Sequence, residues 1–184
     1  MKFKNKKKLV LEIILIFLFI PLIMLFKNLS NYFLLVIIFT SLMIISNYRI
    51  TNKEIYLKKN DLVFFLKSSF LLSIVIFTYA YIFEQDNFLT LFKNSTQIWV
   101  MVMIAYPILS VVPQEIIYRF FFFKRYASLF PNQKVMIVFN AILFSFGHII
   151  FLNIQALLLS FFSSILFSRV FFSRGLLVCI LIHS

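Results

Sequence analysis

The sequence predicts an all-α protein, a polytopic helical membrane bundle of six complete transmembrane helices plus a truncated seventh. Three observations carry that expectation. Of the 184 residues, 62% are hydrophobic and 13% are charged, against about 45–50% apolar and about 25% charged in soluble domains. The apolar residues gather into runs near the length that crosses a bilayer, about 20 residues. The 18 Lys and Arg residues fall mostly in alternate gaps between those runs, as loops on one side of a membrane do.

The first run, Leu9–Phe26, follows the basic stretch MKFKNKKK. That start is similar to a secretory signal peptide. The run is long, however, and Lys27, Asn28 and Asn31 make a poor cleavage site, so it reads as an uncleaved first helix. Further spans are expected at Tyr32–Ser46, Leu62–Phe83, Ile98–Phe123, Val135–Leu152 and Ala156–Phe172. The fourth, at about 39 Å, exceeds the roughly 30 Å hydrocarbon core. It contains Pro107 and Pro113, each of which removes a backbone donor. A bent or broken element is expected, with its cytoplasmic part from Pro113 to about Tyr126. A seventh span begins at Leu176 and stops at Ser184, which reads as a fragment of a longer protein or a truncated gene product.

Charge sets the expected orientation. Five Lys in the N-terminal tail, Arg49, Lys53, Lys58 and Lys59, then Lys124, Arg125 and Lys134, then Arg174 all fall on one side if the spans alternate. That side is the cytoplasm by the positive-inside rule. The expected location is therefore an integral membrane protein of a bacterial plasma membrane, with the N-terminus cytoplasmic and the bilayer as its first partner. The net charge of +12 needs no nucleic-acid partner, because the positive residues sit between apolar runs. Residues 1–97 read as three N-terminal spans and residues 98–184 as the functional unit. The lone cysteine, Cys179, allows no intrachain disulfide and reads as inert packing in an apolar run.

Ionisable residues inside apolar runs carry the chemistry. Such a group costs at least about 2.5–3.5 kcal/mol in hydrocarbon and marks a functional site by default. Glu115 and Arg119 stand four apart, so one helix face presents both. Taken alone, the pair also fits an ordinary internal salt bridge. His148 and His183, the only two histidines, lie in the fifth and last runs. Depths from the helix rise are about 13 Å for Glu115, about 12 Å for His183 and about 20 Å for His148. One Glu and two His suit a zinc ion with an open position for water. They equally suit direct activation of water by carboxylate and imidazole, with the second imidazole stabilising an oxyanion. Both chemistries end in hydrolysis. A transporter is disfavoured, because the first three spans offer only Glu12 and Lys67, both near their ends.

Three motifs in order resemble the CPBP family of intramembrane proteases, which includes the type II CAAX prenyl endopeptidases and the Abi proteins. The first, Glu-Glu-x-x-x-Arg, reads Gln114-Glu115-Ile116-Ile117-Tyr118-Arg119. The second, Phe-x-x-x-His, reads Phe144 to His148. The third, a His with a polar residue four further on, has His183 alone. The resemblance covers roughly residues 98 to 184. It implies a helical membrane bundle that hydrolyses a peptide bond of a membrane-associated protein or peptide precursor. It implies Glu115, His148 and His183 as catalytic residues, or as ligands if a metal binds, with Gln114 and Arg119 supporting them. Gln114 occupies the place of the family's first Glu, and an amide cannot serve as a general base. Either Glu115 takes over, or the chain is an inactive relative that acts as a membrane binding or immunity protein.

Overall fold

The computed structural model describes residues 3–26, 29–51, 55, 57–83 and 90–184. All regular structure among them is helical. Five helices are long and apolar enough to cross a membrane: α1 (Lys6–Phe26), α3 (Asn60–Ile82), α4 (Thr96–Leu129), α5 (Gln133–Phe151) and α6 (Ile154–Arg174). Between α1 and α3 lies the shorter α2 (Phe33–Asn47). The chain closes with α7 (Leu176–His183). All seven expected segments are therefore helices, but α2 has only 15 residues. At 1.5 Å per residue it spans about 22 Å, less than the hydrocarbon thickness.

Local sequence explains several of the boundaries. Asn132 caps α5 by accepting from the Val135 N–H at 3.0 Å. Asn153 caps α6 by accepting from Gln155 and Ala156 N–H at 2.8 and 3.3 Å. Side-chain oxygens at this position satisfy donors that the first turn leaves unpaired. The α5–α6 connection turns through Leu152, at φ 49°. α6 ends at Gly175, whose φ of 91° suits a residue without a Cβ. The chain reverses there into α7.

The fourth span, expected to be bent or broken, is not broken. From Thr96 to Leu129 the helix runs on, loosened into wide π-turns at Pro107–Val111 and Ile116–Phe121. Pro107 opens the first of these. A wider turn accommodates the missing N–H by shifting bonds one residue back, so the helix need not part.

Helices α1, α2, α4 and α5 share one core with the start of α7. Phe17 of α1 sits at its centre, its ring 5.2 Å from Tyr118, 5.5 Å from Phe122 and 6.2 Å from Tyr126, all edge-on. Such aromatic pairs each add about 0.5–1.5 kcal/mol beyond area burial. Glu12 of α1 fastens the same helices, accepting from Arg125 Nη2 at 2.8 Å and Nε at 3.0 Å. α6 packs between α5 and α7, and α7 lies against the Pro107–Phe121 stretch of α4.

The outer surface is apolar. Phe26, Leu35, Phe70, Leu71 and Met101 are each more than half exposed. No residue of the apolar window of α3 is buried. Its first turn is held by Asp61, which pairs with Arg174 at the end of α6. The Arg174 guanidinium also lies 4.0 Å from the Phe64 ring. A surface so apolar suits hydrocarbon and not water. The protein is an integral membrane protein.

Candidate active site

Three of the five residues singled out in the sequence gather around one ring, Phe144 of α5. The Arg119 guanidinium lies 4.7 Å from its centroid. The His148 ring is 4.7 Å away and the His183 ring 6.0 Å away. Glu115 joins the cluster through Arg119 and His183. Three helices, α4, α5 and α7, thus deliver the acidic, basic and imidazole groups to one place.

Glu115 is fully buried and both its oxygens are engaged. Oε1 accepts from His183 Nδ1 at 2.8 Å. Oε2 lies 3.3 Å from Arg119 Nε and accepts from the Cys179 thiol at 2.9 Å. Arg119 is buried as completely. Removing either partner of such a pair strands a charge in an apolar interior, at a cost of about 3–5 kcal/mol. Cys179 is not inert packing, as its apolar surroundings had implied. Its Sγ also reaches the Phe167 carbonyl at 3.1 Å, so the thiol ties α7 to α6 beside the carboxylate.

His183 has two fixed sides. A carboxylate only accepts, so Nδ1 carries a proton and Nε2 faces away. The ring stacks on Phe167, centroids 4.3 Å apart at 23°. The stack and the carboxylate together leave the imidazole one orientation.

His148 stands where α5 tightens into a 3-10 turn. Its backbone N–H reaches the Ser145 carbonyl, three residues back. The Phe144 carbonyl is then taken by the His148 ring, through Nδ1 at 2.8 Å. Nδ1 therefore donates, and Nε2 holds a lone pair. His148 thus lies at the end of its span. Its ring and that of His183 both meet the Phe144 ring.

Gln114 is buried on the preceding position of α4. Its Nε2 donates to Ser110 Oγ at 2.8 Å, and Oε1 has no hydrogen-bond partner among the described residues. It lies one residue, about 100° of helix, away from the Glu115 direction.

The residues expected to hold a metal do not present a ligand set. The Glu115 oxygens are spent on Arg119, Cys179 and His183, and His183 turns Nδ1 inward. Among the described residues, no group of three or more His, Cys, Asp or Glu is placed to hold a metal ion.

Several contributors were not singled out in the sequence. Asn140 of α5 is fully buried and bonds to Arg119. Ser164 and Ser168 of α6 reach toward it at 3.5 and 3.4 Å. Signals for these existed: Asn140 interrupts an apolar run two turns before His148, and the serines repeat every fourth residue on one helix face.

Residues 95–184 match the family model for Rce1-like proteins, described as type II CAAX prenyl endopeptidase Rce1-like. No curated protein and no solved structure matches the chain.

Proposed function

We propose that this chain, whose residues 95–184 match the family model for Rce1-like type II CAAX prenyl endopeptidases, hydrolyses a peptide bond in a membrane-associated protein or peptide precursor, using the Glu115–His183 pair and His148. One observation carries the reading: His183 is fixed by a buried carboxylate on Nδ1, and its opposite nitrogen is free for a reacting group.

The chemistry follows from that arrangement. Water approaches the carbonyl carbon of the scissile bond, and its proton passes to His183 Nε2 as the C–O bond forms. Glu115 stabilises the imidazolium that results, as a carboxylate behind an imidazole does in hydrolytic triads. His148 Nε2 accepts a hydrogen bond from the same water and aims its lone pair at the carbonyl. When the tetrahedral intermediate collapses, the C–N bond breaks and the proton on His183 moves to the leaving amine. Arg119, its ion-pair partner at 3.3 Å, holds Glu115 in place. In this scheme Glu115 acts through His183, because both of its oxygens are already held. No step is routed through a metal.

The test is cleavage of a peptide library by the full-length protein in liposomes, beside His148→Ala and His183→Ala and with a chelator present. Cleavage that both substitutions abolish and the chelator spares supports the proposal. Cleavage lost to the chelator alone overturns the metal-free route.

A second reading rests on Gln114. Its amide stands where the family has a carboxylate, and an inactive relative that binds peptides in the membrane would need no base there. Activity that appears only in Gln114→Glu favours this reading. We further propose that the N-terminus lies in the cytoplasm and that α1 to α3 form an addition to the 98–184 unit.

A further inference from the structure

We propose that Asn140 is a positioning residue, a buried lock on α5 that fixes Arg119 and through it the Glu115–His183 pair. The inference rests on the catalytic reading above only for its effect on rate.

Asn140 has no exposed surface and joins three helices. Its Oδ1 accepts from Arg119 Nη1 at 3.0 Å. Among the described residues, this is the hydrogen bond that holds the guanidinium, since Nε and Nη2 make none and Nε meets Glu115 only as an ion pair. Its Nδ2 donates to the Tyr118 carbonyl at 2.8 Å. That carbonyl is one the π-turn passes over: the Phe122 N–H, its ordinary helical partner, reaches Ile117 and Arg119 instead. An amide is the side chain that can satisfy both needs at once, accepting from a cation and donating to a carbonyl.

The consequence is directional. The π-turn sets the rotation of the helix between Glu115 and Arg119, and Asn140 clamps the Arg119 end of it at two points, the Tyr118 carbonyl and the guanidinium. Ser164 and Ser168 place hydroxyls at the same Oδ1, which fastens α6 to the clamp. Loss of the acceptor frees the guanidinium to leave Glu115. His183 then loses the carboxylate partner that sets its ring.

Two substitutions separate positioning from bulk structure. Asn140→Leu keeps the volume and removes both polar functions. Asn140→Asp keeps an acceptor for Arg119. The primary readout is side-chain NMR of 15N-histidine-labelled full-length protein in micelles, following the His183 Nδ1–H bonded to a carboxylate. The proposal expects that resonance to persist in Asn140→Asp and to vanish or move in Asn140→Leu. Should Asn140→Leu fail to fold, Asn140→Asp decides alone: persistence supports the lock, and loss overturns it. A folded Asn140→Leu with the wild-type resonance also overturns it, as does equal loss in both variants, which would assign the effect to the Tyr118 carbonyl.

In the cleavage assay, kcat falls about tenfold to a hundredfold in Asn140→Leu with KM nearly unchanged, and recovers in Asn140→Asp. If the wild type cleaves nothing, the catalytic reading fails and the NMR comparison still tests the lock.

Discussion

Gly147 offers a test of the packing that aims His148. A Cβ added there would stand 2.5 Å from Tyr118 Oη and 3.5 Å from Cζ. Ordinary contacts between carbons lie at about 3.5–4.0 Å, so the hydroxyl must give way by roughly an ångström. Tyr118 has little room to do so. It is 7% exposed and its ring is gripped edge-on by Phe17 at 5.2 Å and Phe144 at 5.0 Å. Overpacking a filled core costs about 1–3 kcal/mol, and Gly147→Ala is expected to destabilise the protein by that amount. Tyr118→Phe deletes the clashing oxygen and leaves only the ring carbon at ordinary contact distance. The double variant Tyr118→Phe/Gly147→Ala therefore recovers most of the loss, with a coupling energy of about 1–3 kcal/mol. The assay is reversible denaturation in mixed micelles for the four proteins of the cycle. Gly147→Ala within about 0.5 kcal/mol of wild type, or a double variant no better than the sum of the singles, refutes the contact and the placement of His148 that depends on it.

Three other outcomes follow from the site. Glu115→Gln leaves Arg119 buried without a countercharge and should cost about 3–5 kcal/mol in the same denaturation assay; a loss below about 1 kcal/mol contradicts the buried pair. Cys179, fully buried, should resist a membrane-permeant maleimide in the folded protein and react only on unfolding, as mass spectrometry would report. Gln114→Glu restores the first carboxylate of the motif, and it should raise peptide cleavage above wild type; an unchanged rate means that the amide at this position is no handicap.

Much of the architecture was legible because hydrocarbon is an exacting solvent. An apolar run near 20 residues has few other fates, and six of the seven expected segments match helices within a few residues. The α2 helix is short because Asn47 and Tyr48 end it, a boundary that hydropathy places but whose depth it leaves open. Pro107 and Pro113 left two outcomes open, a bend or a break, for a definite reason. Proline forbids one hydrogen bond but does not dictate how the helix responds, and here π-turns absorb the defect.

The site divides along a similar line. Glu115 and Arg119 could be paired from spacing alone, since i and i+4 always meet on a helix. That His148 and His183 face one Phe144 ring depends on how α5 and α7 cross, which no local pattern encodes. Cys179 and Asn140 were hidden in apolar runs, where a thiol or a single amide looks like filler. Their roles arise from partners on other helices: the Glu115 carboxylate for one, the Tyr118 carbonyl left by a π-turn for the other.

The central claim is that His183, held by Glu115, takes the proton from the attacking water. Its most direct test is the single-turnover rate of peptide cleavage by full-length protein in liposomes, wild type against His183→Ala. Loss of a positioned general base costs about 10²–10⁴-fold, and the account predicts a fall of that size with peptide binding retained. A His183→Ala protein that cleaves at the wild-type rate would contradict it.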